Sequence, residues 1–156
     1  MSGPPDPKPI RIKPPKNRFI KRKAKVKKKR VKLKSISYLK KKVWVLFSLW
    51  IRRRDSVNGM NSCISCGKVK KIEELQAGHL IPGRHSAVLF DETGVFPQCY
   101  YCNGPLHGNQ RAYANNLKKK LGVDEAWIDQ KFADAKKIVK FSRSDLESLI
   151  AKYEGS

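Results

Sequence analysis

Cys63-Ile64-Ser65-Cys66-Gly67 and Cys99-Tyr100-Tyr101-Cys102-Asn103 hold all four cysteines of the chain, and their spacing decides its architecture. Cys-x-x-Cys forms a tight turn that aims two thiolates at one point, and two such turns complete a tetrahedron around zinc. Gly67 suits the positive φ that such a turn demands just after its second cysteine. Two disulfides are the competing pairing, but they belong to oxidising compartments. A thioredoxin-like redox role needs one pair in a βαβ setting, which this sequence lacks. The expectation is therefore one structural Zn²⁺ held by Cys63, Cys66, Cys99 and Cys102. With all four positions filled by sulfur, that ion braces the fold and performs no chemistry.

The residues between and after the two pairs carry the chemistry. Gln76-Ala77-Gly78-His79-Leu80-Ile81-Pro82 reads as a short strand ending at a polar residue. Asn103 follows Cys102 directly, and His107 comes four residues on. If a helix starts near Asn103, the two side chains stack on one face. An Asn oxygen and a His nitrogen so placed make a partial ligand set for a divalent cation. His79, on a strand facing that helix, has the intrinsic pKa of a general base acting on a water.

Outward from this segment the chain is asymmetric. Its 156 residues carry 35 Lys+Arg against 13 Asp+Glu, a net charge of +22. The first 42 residues hold 18 of those bases against one acid, Asp6, whereas the remaining 114 hold 17 against 12. An excess of this size points to a polyanionic partner, nucleic acid above all. Residues 1–34 are expected to be disordered, since Pro4, Pro5, Pro7, Pro9, Pro14 and Pro15 block helix and ladder. Within them, Lys21, Arg22, Lys23, Lys27, Lys28, Lys29 and Arg30 form a self-repelling basic arm that can neutralise phosphates. The longest apolar run, Val43–Ile51, is far short of the roughly 20 residues that span a bilayer. No membrane partner and no secretory signal is expected, and the location predicted is cytoplasmic.

A helix is predicted after the arm, capped by Ser35 or Ser37, with Ile36, Leu39, Val43, Leu46 and Trp50 as its apolar stripe. Arg52, Arg53 and Arg54 at its C-terminal end complement the macrodipole and are candidates for DNA contact. Helices are also predicted over Arg111–Leu121, stopped by Gly122; over Asp124–Lys140; and from Ser142, through a capping box with Asp145, to Tyr153. Trp127 and Phe132 are assigned to the core.

Taken together, Cys63–Gly67, Ala77-Gly78-His79, Phe90-Asp91-Glu92, Gln98 through Asn103, and His107-Gly108-Asn109 with Tyr113 resemble the HNH (ββα-metal) nucleases of the zinc-braced kind. In layout they are similar to the phage recombination endonuclease VII group, and more closely to the phage lambda NinG/Rap recombination nuclease family, over roughly residues 35–122. The resemblance implies a small α+β fold: a ββα-metal core braced by the four-cysteine zinc knuckle, flanked by helices, behind the basic arm. The implied division is an arm over 1–34, the nuclease core with its leading helix over 35–122, and a C-terminal helical segment over 123–156. It further implies that His79 is the general base, that Asn103 and His107 hold a catalytic Mg²⁺ or Mn²⁺, and that the substrate is branched DNA such as Holliday junctions and D-loops. Cleavage would leave a 5′-phosphate. Paired cuts imply a homodimer, for which the aromatic-rich helix 36–51 is the suggested interface.

Two positions depart from the pattern. Many such nucleases place an Asp or His ligand just before the base, where this chain has Gly78. The middle Asn that orients the base falls at Gly94, so a backbone carbonyl is expected to orient His79 instead. Arg84 and His85 lie in a loop from which they could reach the phosphate. Asp91 reads as a turn or ion-pair residue rather than a carboxylate at the site, Asn109 as a cap or packing residue rather than a metal ligand, and Tyr100, Tyr101 and Tyr113 as structural rather than base-stacking. The competing functional readings are a non-catalytic zinc-ribbon nucleic-acid binder and a general HNH endonuclease that cuts linear duplex.

Overall fold

The computed structural model describes Gly3, residues 33–83 and residues 85–155. The arm residues Lys21, Arg22, Lys23, Lys27, Lys28, Lys29 and Arg30 lie outside the described residues, as does Arg84.

Helix α1 (Ile36–Arg53) opens at Ser35, whose hydroxyl accepts from the Tyr38 amide at 3.2 Å. Its buried residues are Leu39, Val43, Phe47 and Ile51. Leu39 and Val43 are buried as predicted, whereas beyond them full burial turns by one position to Phe47 and Ile51, with Leu46 and Trp50 partly buried against the same clusters and Ile36 exposed. The cause is that α1 packs on two partners in succession. Leu39 and Val43 meet Leu146 and Ile150 of helix α5 (Arg143–Glu154), while Phe47 and Ile51 meet Ala77, Val95 and Tyr153. Each such side chain contributes about 1.5–3 kcal/mol on burial. This face is enclosed within the chain, whereas Tyr38 and Val45 on the other side of the helix stay exposed.

Strands β1 (Met60–Ser62) and β2 (Val69–Lys71) form an antiparallel hairpin whose loop is the first cysteine pair. There Cys63 N donates to Lys68 O, and Gly67, at φ 72°, donates back to Cys63 O. A short 3-10 turn leads into β3 (Leu75–His79), which pairs antiparallel with β4 (Val95–Cys99), His79 opposite Val95 and Leu75 opposite Cys99. Successive side chains of β4 point to opposite faces. Val95 packs with α1, whereas Phe96 joins Leu80, Tyr113, Leu117 and Ile128 on the other side.

Helix α2 (Tyr100–Asn103) begins directly from Cys99 and ends after four residues. The expected i, i+4 stacking of Asn103 and His107 on one helix therefore does not occur. Gly104-Pro105 stops the helix, because the residue before a proline is driven out of the α region, and His107 stands in a turn at φ 49°. Helix α3 (Gln110–Leu121) closes on Gly122 at φ 67°, as its sequence predicts. Helix α4 (Glu125–Ala135) is shorter than predicted. Phe132, assigned to the core, is 43% exposed, and Val139 lies beyond the helix. Helix α5 carries the predicted capping box: Ser142 Oγ accepts from Asp145 N, and Asp145 accepts from Ser142 N. Among the described residues, no helix is long and apolar enough to cross a membrane.

Candidate functional site

The two cysteine turns converge. The four sulfur atoms lie within 4.8 Å of one another, with Cys63, Cys99 and Cys102 buried and Cys66 exposed. A tetrahedron with metal–sulfur bonds of about 2.3 Å has edges of about 3.8 Å, and Cys66 Sγ lies 3.8 Å from Cys99 Sγ. The cluster could hold a metal ion such as zinc. Burial and neighbouring thiols push Cys102 up to about 12, although Asn109 Nδ2 donates to its sulfur at 3.8 Å. Such a thiol gives up its proton only to a cation that replaces it.

His79, Asn103 and His107 line one cleft of about 700 Å³, together with Trp44, Arg52, Gln76 and Gln110. The β3–β4 hairpin places His79 at the strand end. Its ring is stacked on Trp44 of α1, with centroids 5.2 Å apart and planes 11° from parallel. Its Nε2 lies 3.2 Å from Leu89 O. A carbonyl can only accept, so Nε2 carries the proton and the lone pair sits on Nδ1. A backbone carbonyl thus orients the ring, in line with the expectation drawn from Gly94.

Gly78 has a packing cause. A Cβ there would sit 2.1 Å from Gln98 Oε1 and 3.0 Å from Gln98 Cβ. Gln98 is fully buried, and its Nε2 donates to Ser65 Oγ and to Gly108 O. One amide therefore joins the first cysteine turn to the turn that carries His107. Tyr113, also fully buried, places its hydroxyl 2.8 Å from Gly78 O and 3.1 Å from Gly94 O, fastening the strand ends on either side of His79. Burial holds that phenol well above its ordinary pKa, so it remains a donor.

Asn103 Nδ2 donates to Gln76 Oε1 at 2.6 Å, which turns its Oδ1 into the acceptor available to a cation. His107 is exposed, and its turn is held by His107 N to Gly104 O and Gly108 N to Cys102 O. Gln110 and Gln76 are cleft residues that sequence reasoning missed. Gln110 reaches His79 O at 3.5 Å through Nε2. Its position one turn beyond His107, at the start of α3, was the available signal.

The arginines separate. Arg52 lines the cleft while donating to Ser48 O and Ile72 O. Arg53 is exposed. Arg54 turns inward: its side chain is 14% exposed, it donates to Glu92 O and Val95 O, and its guanidinium lies 4.1 Å over the Phe96 ring. It fastens β4 and is not presented to a nucleic acid, which corrects its assignment to DNA contact. His85 is exposed and does not line the cleft. Asp91 accepts from Thr93 and from Lys131 Nζ at 2.7 Å, the turn and ion-pair role read from its sequence context.

Fold and site together define a small α+β protein with a four-cysteine cluster buttressing a polar, histidine-bearing cleft. The profile of the family described as Bacteriophage Lambda NinG protein matches residues 12–156, and the chain belongs to that family. Membership points to a phage recombination-related role. No curated protein and no solved structure gave a match.

Proposed function

We propose that this chain is a metal-dependent endonuclease of the HNH type that hydrolyses branched DNA during phage recombination. The observation that carries the proposal is the convergence of His79, Asn103 and His107 on one cleft, with the His79 tautomer set by Leu89 O. Family membership and the excess of 22 positive charges support a DNA substrate. The cysteine cluster holds Zn²⁺ in this reading and takes no part in the reaction.

His79 Nδ1 takes a proton from a water aligned opposite the 3′-oxygen. The water oxygen bonds to phosphorus as the bond to the 3′-oxygen breaks, and the departing 3′-oxyanion takes a proton from solvent water, leaving a 5′-phosphate and a 3′-hydroxyl. Asn103 Oδ1 and the His107 imidazole would hold Mg²⁺ or Mn²⁺, which accept waters and phosphate oxygens at their other positions. When bound, that cation offsets the charge on the pentacovalent phosphate and the departing oxygen. Trp44 keeps the imidazole plane fixed, and Arg52 keeps positive charge in the cleft. A homodimer belongs to the proposal because junction resolution needs two cuts.

The test is incubation of the purified protein, beside His79→Ala, with a synthetic four-way junction and Mg²⁺ or Mn²⁺. Nicking by wild type alone, with junction preferred over linear duplex, is the expected result. Binding without nicking under either metal would replace the proposal with a non-catalytic zinc-ribbon nucleic-acid binder. Equal cutting of linear duplex would make the chain a general HNH endonuclease.

A further inference from the structure

The two residues between Cys99 and Cys102, read in the sequence as structural in preference to base-stacking, are both exposed. Cys99 at the end of β4 and Cys102 in α2 are both buried, and the two side chains between them face out. Tyr100 is 67% exposed and Tyr101 is 63% exposed. They line a second, separate groove of about 460 Å³ over the cysteine cluster, beside Leu106, which is 42% exposed, and the lysines Lys68 and Lys70. Lys70 pairs with Glu74 at 3.4 Å, and Lys68 is exposed.

We propose that Tyr100 and Tyr101 form a stacking platform for unpaired nucleobases, with Lys68 and Lys70 facing the adjoining phosphates. The inference rests on the DNA reading above and deepens it, since it names what the protein recognises in a branched substrate. Exposed aromatic rings beside lysines are the arrangement that binds single strands, because every base offers a π-face and every linker a negative charge.

Position adds to the argument. The same four-residue helix presents Asn103 to the cleft and Tyr100 and Tyr101 to the groove. The helix is about one turn long, so the cleft and the groove flank the same short element. Paired bases are stacked on their neighbours and cannot use such a platform. Unpaired bases at a branch or flap can, and they would be held next to the phosphate being cut.

The experiment compares the full chain with Tyr100→Ala/Tyr101→Ala and Tyr100→Phe/Tyr101→Phe. It measures affinity by fluorescence anisotropy for a junction with unpaired central nucleotides and for a matched linear duplex at one salt concentration. The alanine pair is expected to lose about ten-fold or more on the unpaired substrate and less than about two-fold on duplex, with the phenylalanine pair restoring the difference. Equal losses on both substrates, or no loss, overturn the platform. Zinc content is measured alongside. Should the alanine pair lose its metal or its fold, photocrosslinking of wild type to a 5-iodouracil-substituted flap decides: adducts on Tyr100 or Tyr101 support the platform, and adducts only elsewhere overturn it. If the tyrosines instead govern self-association while substrate preference is unchanged, the platform is refuted. A wild-type chain that binds no DNA of any kind overturns the functional reading itself, a result distinct from binding without discrimination.

Discussion

Adding one methyl group at Gly78 should be among the most damaging small changes available to this protein. The backbone there is ordinary extended strand, so the penalty comes from space. The new Cβ would stand 2.1 Å from Gln98 Oε1 and 2.9 Å from Gln98 Cδ. Gln98 is fully enclosed and cannot swing aside without giving up its bonds to Ser65 Oγ and Gly108 O. Overpacking of this kind costs about 1–3 kcal/mol, and buried polar groups left unpaired cost about 1–3 kcal/mol more. Gly78→Ala should therefore lose about 2–6 kcal/mol, or about 8–24 °C in Tm for an ordered body of this size. Urea unfolding followed by tryptophan fluorescence, at fixed zinc concentration, measures it. Combining Gly78→Ala with Gln98→Ala removes the obstacle, so the pair should be less damaged than the two single losses summed. Gly78→Ala within about 0.5 kcal/mol of wild type, or strict additivity in the pair, would refute the packing account.

Tyr113→Phe removes only the hydroxyl that reaches Gly78 O and Gly94 O, and should cost about 1–3 kcal/mol in the same assay. Chelation of zinc should unfold the cysteine turns. Because the thiols must be deprotonated to bind and Cys102 lies up at about 12, metal release should become easier as pH falls, read by a colorimetric zinc indicator across a pH series. Burial alone would raise the Asp91 carboxyl, but Lys131 and Thr93 outweigh it and hold the group below its ordinary value. The folded state therefore binds fewer protons there, and the contribution is present above the unfolded pKa of about 3.9 and lost as pH falls through the folded value. Asp91→Asn should lower stability at neutral pH by about 1–3 kcal/mol and flatten the acid limb of a Tm-versus-pH curve.

What could be read in the sequence was what local geometry decides. Cys-x-x-Cys specifies its own turn, Ser35 and the Ser142/Asp145 box announce helix starts, and Gly122 announces a stop. The strand ending at His79 was legible because polar and apolar residues change places there. What escaped depended on partners distant in sequence. Arg54 reads as a surface cation until Phe96 and the carbonyls of Glu92 and Val95 are brought beneath it. The stripe of α1 could not be placed without knowing that α5 and the β3–β4 hairpin share it. Gly104-Pro105, by contrast, was a visible stop signal between Asn103 and His107. Reading it would have predicted a turn in place of the continuous helix.

The stacking of His79 on Trp44 joins an imidazole in the hairpin to an indole 35 positions upstream, in a helix outside the hairpin–helix unit. The hairpin that carries His79 is consequently not a cassette. Transplanted without α1 into another scaffold, it would arrive with its histidine unsupported on one face. Diversification of such sites should then proceed by exchanging whole bodies, leading helix included, and not by shuffling the cysteine-bearing segment alone.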